Sequence, residues 1–212
     1  MKSELDRHRA ALSACRLCAL GDSIRPIVSQ ARSPRVMLVG QAPGKVEASG
    51  GRPFAGRAGR TLFSWFATIG LDEPLLREHM YIAAVTRCFP GAHPSGRGDR
   101  VPSPRERENC ASWLVAEVGI IRPRLIIPVG RLAIDALLGP MPLERAIGRD
   151  HRLADDSRWA TAGASRTIVV PLPHPSGASS WIHAPGHREL LHESLALIRA
   201  RWAEVHKDRR AA

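Results

Sequence analysis

The sequence predicts an α/β fold, a three-layer α/β/α sandwich around a central four-stranded parallel sheet. Two observations carry this. Four short apolar runs rich in β-branched residues recur along the chain, and patterns of helical periodicity separate them. Strands that alternate with helices in this way form parallel sheets buried on both faces. With 212 residues, 44% of them apolar, the chain is long enough for one domain with a real core. The expectation is a single domain over 1–212, with the segment 1–30 as an N-terminal appendage.

The strand runs are residues 35–39 (RVMLV), 80–85 (MYIAAV), 124–129 (RLIIPV) and 166–170 (RTIVV). Each is short, apolar and bounded by turn or helix signals. Residues 58–69 place Leu62, Phe63, Phe66 and Ile69 at helical spacing. The helix predicted over 104–118 has Ser103 as N-cap, Pro104 at its first position and Glu106 in its first turn. A short helix over 131–138 ends at Gly139-Pro140, and a long closing helix covers 186–202. The basic, Gly/Pro-rich stretch 89–104 is long for a passive connection.

Charge narrows the function classes. Lys and Arg number 31 against 20 Asp and Glu, a formal charge of +11, which favours a polyanionic partner such as nucleic acid. Only Lys2, Lys45 and Lys207 are lysines, and arginine grips phosphate through a two-pronged fork. No apolar stretch approaches the roughly 20 residues that span a bilayer. The first 14 residues lack the apolar core of a secretory signal. The expectation is a cytoplasmic, nucleoid-associated protein without a membrane partner.

Each predicted strand ends where unusual chemistry begins: Gly40-Gln41-Ala42-Pro43-Gly44, then Arg87-Cys88, then Gly130-Arg131, then the segment around His174-Pro175-Ser176-Gly177. Ligands of open parallel sheets bind at the carboxyl ends of the strands, so these loops are expected to converge on one site. The stretch 40–59 carries six glycines in 20 residues, which permits close backbone approach to a ligand. It lacks the Gly-Lys-Ser/Thr of a phosphate-binding loop and the dinucleotide fingerprint, so no nucleotide cofactor is expected.

The four cysteines, Cys15, Cys18, Cys88 and Cys110, are spaced C-x2-C-x69-C-x21-C. One close pair and two distant thiols are compatible with a [4Fe–4S] cluster. Zinc, a redox dithiol and four unconnected thiols remain open on spacing alone.

These residues resemble the iron–sulfur uracil-DNA glycosylases, family 4 of the uracil-DNA glycosylase superfamily. The first motif of that family matches without a gap through Gly40, Ala42, Pro43, Gly44, Glu47, Gly51, Pro53, Phe54, Gly56, Ala58 and Gly59. Its second motif falls on His174-Pro175, followed by Ser176, and its four cluster cysteines fall on Cys15, Cys18, Cys88 and Cys110. The resemblance covers roughly residues 10–200 in the same order. It implies a [4Fe–4S] cofactor and monofunctional hydrolysis of the deoxyuridine N-glycosidic bond in single- or double-stranded DNA, carried out by a monomer. It further implies that His174 donates to the uracil O2, that Phe54 stacks on the base, and that Gln41 and Ala42 line the pocket and hold the water. Pro175, Ser176 and Gly177 are expected against DNA, and Arg97, Arg100 and Arg131 are candidate phosphate contacts.

Three departures stand out. The family carries Glu where this chain has Gln41, which orients a water but cannot deprotonate it, leaving Glu47 as the candidate activating group. The family carries a base-reading Asn where this chain has Ala84, so compensation by another polar group or an altered base range is expected. The loop between Cys88 and Cys110 is longer than usual. A related subgroup traps abasic DNA through a loop histidine. Here the loop holds His93, while the corresponding place lies nearer Asp99. The alternative readings are a DNA-binding module with little or no glycosylase activity, and a zinc-stabilised nucleic-acid scaffold.

Overall fold

The computed structural model describes residues 2–32, 34–96, 98–153, 159, 167–176 and 180–207. Strand β1 (Val36–Gly40) lies between β2 (Met80–Ala84) and β3 (Leu125–Pro128), parallel to both. Strand β5 (Ile168–Val169) pairs parallel with β3, and β4 (His151–Arg152) pairs antiparallel with β5. The order is β2-β1-β3-β5-β4. The expectation of four parallel strands is therefore corrected: the sheet is five-stranded and mixed. The added edge strand is two residues long, one of them exposed, and so carries no apolar run for a sequence reading to detect. The expected strand over 166–170 is shorter than its pattern; a separate bridge, Val129 to Leu172, continues its path, and Arg166 lies outside the described residues.

All five residues of β1 and of β2 are buried, as parallel strands covered on both faces must be. Val36 and Leu38 face one core with α3 (Arg57–Ala67), α4 (Glu73–His79) and α8 (His187–Lys207), through Leu62, Phe66, Leu76, Ile198 and Trp202. Met37 and Val39 face the other with α5 (Pro104–Ile121) and α6 (Arg131–Leu138), through Leu114, Val118, Ala133 and Leu137. The alternation follows from the two-residue period of a strand. Two short helices, α2 (Lys45–Gly50) and α7 (Leu143–Ala146), and a 3-10 turn at Trp181–His183 complete the described elements.

Cap chemistry sets the helix starts. Ser103 accepts from the Glu106 amide (3.2 Å) and Glu106 accepts from the Ser103 amide (2.8 Å), with Pro104 in the first turn. Ser3 starts α1 (Glu4–Ser13) with the same reciprocal pair, through Asp6, and the Asp72 side chain starts α4 by accepting from the Leu75 amide. Among the described residues no helix is long and apolar enough to cross a membrane.

One polar network crosses the second core. Glu117, fully buried on α5, accepts from the Tyr81 hydroxyl (2.7 Å) and pairs with the buried Arg87 guanidinium. His8 of α1 approaches the same carboxylate at 3.4 Å. Removing one partner of such a pair leaves an uncompensated buried charge. Glu117→Ala is therefore expected to cost about 3–5 kcal/mol, read as a shift in the denaturant midpoint; an unshifted midpoint contradicts the network's role.

Candidate active site at the carboxyl edge of the sheet

The carboxyl ends of β1 and β2 meet in register, Gly40 opposite Ala84. Beyond them Val85 donates to the Gly40 carbonyl (2.9 Å) and Thr86 to that of Gln41 (3.2 Å). A cavity of about 610 Å³ opens at this edge. Its wall includes Gln41, Ala42, Glu47, Phe54, Ala84 and His174, so all the expected catalytic and base-binding side chains surround one space.

Phe54 is fixed by its backbone and its floor. It adopts φ 51°, a left-handed conformation uncommon outside glycine. Its ring lies against Gly40, where a methyl group would meet Phe54 Cζ at 3.0 Å. Its carbonyl lies over Gly59, where a methyl group would come within 1.9 Å of it. Arg77 of α4 clamps the same turn, donating to the carbonyls of Pro53 (2.9 Å) and Phe54 (3.2 Å) while Glu73 holds its Nε at 2.7 Å. The sequence reading missed Arg77, because a helix arginine carries no signal of a loop 23 residues away.

Glu47 braces the glycine-rich segment. Its two carboxylate oxygens accept from the amides of Gly44 (3.0 Å) and Gly56 (2.9 Å), and the residue is buried. The first of these bonds sits at the start of α2, a helix hidden from sequence reading by its glycines.

His174 arrives from the segment after β5. The Ser176 amide donates to its Nδ1 at 3.2 Å, and the Ser176 hydroxyl stands 2.9 Å from the same atom. With Nδ1 accepting, the proton of the neutral ring resides on Nε2. Burial disfavours the imidazolium and pulls the pKa below the usual 6.5. Gly130 (φ +85°) lies underneath: a methyl group there would meet His174 Cδ2 at 2.9 Å. The sequence offered only a glycine opening a helix as a sign of this support.

The candidate DNA contacts differ in their surroundings. Arg100 lines the cavity but forms a two-point pair with Glu106 (2.8 and 2.5 Å). Arg131 is half exposed and holds the Met141 carbonyl and, at 3.7 Å, Asp135. Ser176 lines the cavity beside His174, whereas Pro175, expected against DNA, is buried and is not among the described lining residues; Arg97 and Gly177 lie outside the described residues. His93 is exposed, engages Ser95, and is not among the described residues lining the cavity.

On the far side of Arg87, a second cavity is walled by Cys15, Cys18, Cys88 and Cys110, all free thiols. Burial, reinforced by the three other sulfurs, pushes the Cys88 thiol up to about 12. Cys110 is raised as well, again chiefly by burial. Two residues of this wall carry buried polar atoms with no hydrogen-bond partner among the described residues: Thr86 Oγ1, and Nε and Nη1 of Arg87. Four thiols and unsatisfied donors around one space fit an anionic, thiolate-ligated group. Among the described residues no three His, Cys, Asp or Glu side chains form a group that would hold a single metal ion.

The family model of the Uracil DNA glycosylase superfamily matches residues 27–203. The chain belongs to the uracil-DNA glycosylase superfamily. Its relatives there include the type-4 uracil-DNA glycosylase of Archaeoglobus fulgidus, 31% identical over 84% of this chain and 83% of that protein. Others are the type-4 enzymes of Pyrobaculum aerophilum, 36% identical over 77% and 76%, and of Sulfurisphaera tokodaii, 27% identical over 92% and 83%.

The folded protein binds the His174 proton more weakly than the unfolded chain. The stability this confers is fully present above the unfolded value near 6.5 and is lost as the pH falls through the lower folded value. Nitrogen-resolved NMR of the imidazole at pH 6.5, where an ordinary histidine is half charged, is expected to report a ring more neutral than charged, with the neutral form protonated on Nε2. A charged ring at that pH contradicts the assignment.

Proposed function

We propose that this chain hydrolyses the N-glycosidic bond of deoxyuridine in DNA, releasing uracil and leaving an abasic site. The observation that carries the reading is the meeting of Phe54 and a neutral, Nε2-protonated His174 across one cavity at the sheet's edge. A base inside a duplex is out of reach, so it is turned out of the stack into this cavity. There Phe54 offers an aromatic face to the base. Bond breaking moves electrons onto the base and leaves a cation-like sugar. A preorganised Nε2–H donor steadies the charge growing on O2 without reorganising in the transition state. An imidazole held neutral by burial remains such a donor near pH 7.

Gln41 orients the attacking water and reads the base edge, as the one side-chain amide among the described residues of the cavity wall. Ala84, paired with Gly40 across the strands, contributes no hydrogen bond to the base. Glu47, with each carboxylate oxygen already accepting a backbone amide, is a positioning residue that holds the glycine-rich wall against the base. Ser176 at the cavity and the cations Arg100 and Arg131 meet the DNA backbone, in keeping with the chain's formal charge of +11.

Cys15, Cys18, Cys88 and Cys110 would hold a [4Fe–4S] cluster, with the Arg87 guanidinium beside it. Bound there, such a group supplies cross-linking, tying the N-terminal segment and the long loop to the core, because metal binding is folding free energy. The purified protein is expected to be brown with broad visible absorbance, and Cys88→Ser to lose both colour and solubility. A colourless, fully folded protein contradicts this.

The decisive assay is release of free uracil from a uracil-containing oligonucleotide, followed by alkali cleavage of the abasic strand. His174→Ala is expected to slow release about 10²–10³-fold while leaving the fold intact. Because Ala84 removes a discriminating contact, hypoxanthine or xanthine is expected to be excised alongside uracil. Strict uracil specificity together with an unaffected His174→Ala would contradict the proposed roles.

A further inference from the structure

Gln41 leaves the cavity without a base in the place where one is expected, since an amide takes no proton from water near neutral pH. Two carboxylates are present among the described residues of the wall, Glu47 and Asp99. Each oxygen of Glu47 is engaged with a backbone amide.

Asp99 reaches the cavity from the long loop between Cys88 and Cys110. That loop is folded back on itself: Ala92 and Asp99 form an antiparallel bridge, the Arg100 amide donates to Gly91 (3.0 Å), and the His93 amide donates to Gly98 (2.9 Å). The hairpin sets Asp99 Oδ2 beside the glycine-rich wall, where a methyl group on Gly44 would meet it at 2.8 Å. The Lys45 backbone approaches this carboxylate and works against the effect of burial on it. Of the cations on this wall, Arg100 is held by Glu106, which the Ser103 amide anchors in turn, and the Lys45 charge offsets only part of the effect of burial. Burial, with a smaller push from Glu47, raises the Asp99 carboxyl above its ordinary value, which strengthens it as a proton acceptor.

We infer that Asp99 is the catalytic carboxylate of this chain, supplied by the long loop in place of the acid absent at Gln41. The inference rests on the glycosylase reading. The C1′–N1 bond breaks and its electron pair leaves with uracil, steadied by His174. The oxygen of water bonds to C1′ and its proton passes to the Asp99 carboxylate. That proton is released to solvent and the uracil anion takes one up, so deoxyuridine and water give an abasic site and uracil. Before the water attacks, the carboxylate also stands as a counter-charge to the cation-like sugar.

The test uses the full chain as purified, with single-turnover uracil release by wild type, Asp99→Asn, Gln41→Glu and the double variant. Asp99→Asn is expected to be about 100-fold slower, with an unchanged melting temperature, and adding Gln41→Glu to recover about 10-fold or more of that loss. A parallel measurement compares affinity for DNA bearing a cationic pyrrolidine abasic analogue with DNA bearing the neutral tetrahydrofuran analogue. Asp99→Asn is expected to weaken the first selectively. Wild-type rates in Asp99→Asn, a double variant no faster than Asp99→Asn, or equal weakening of both analogues overturns the inference. Absence of uracil release by the wild-type chain counts against the glycosylase reading itself, and the analogue pair then still reports on the Asp99 charge.

Discussion

The parallel register of β1 between β2 and β3 governs the geometry of this molecule. Backbone hydrogen bonds run from Val85 to Gly40 and from Val129 to Val39, and on the far side of β3 from Gly130 to Leu172. They end three strands and the His174 segment at one edge. Parallel strands bring their carboxyl ends together, so loops far apart in the chain open on the same space. A slip of one residue would invert every side chain of a strand buried on both faces, exchanging the two core layers. The register that packs the core therefore also brings Phe54 and His174 to one cavity.

On that edge, rigidity comes from buried polar groups with defined partners. Glu47 ties Gly44 to Gly56, Arg77 clamps the turn that carries Phe54, and the Ser176 amide fixes the His174 tautomer. Each is a hydrogen bond in a partly dehydrated setting, where leaving a group unpaired is costly. The glycines contribute by omission. At Gly40, Gly59 and Gly130 a β-carbon would occupy the space taken by Phe54 or His174. The cavity is held open by carboxylate braces and by missing methyl groups rather than by apolar packing alone.

Arg87 links this cavity to the cysteine-walled one, since it lines both. Its charge is met by Glu117, which also takes the Tyr81 hydroxyl and faces His8. The N-terminal helix, the long helix α5 and the second strand thus share one buried carboxylate. Removing Glu117 would leave the Arg87 guanidinium as a buried charge without its partner.

Much of this was legible in the sequence. Strand runs, the Ser103 cap, the helix stop at Gly139 and the ordered motifs from Gly40 to His174 are local signals, written within a few residues of where they act. They point to the α/β class, to loops converging at one edge, and to Phe54 and His174 as candidates that line the same cavity. The tertiary structure decided what depends on distant partners. The antiparallel edge strand β4 has no apolar pattern of its own and exists because β5 offers it a free edge. The motif singles out Glu47 and not Asp99 as the candidate acid, yet the fold closes two backbone amides onto the first and brings the second to the same cavity wall. Chain chemistry names the groups that are available, but their roles follow from which hydrogen bonds the assembled backbone has already filled.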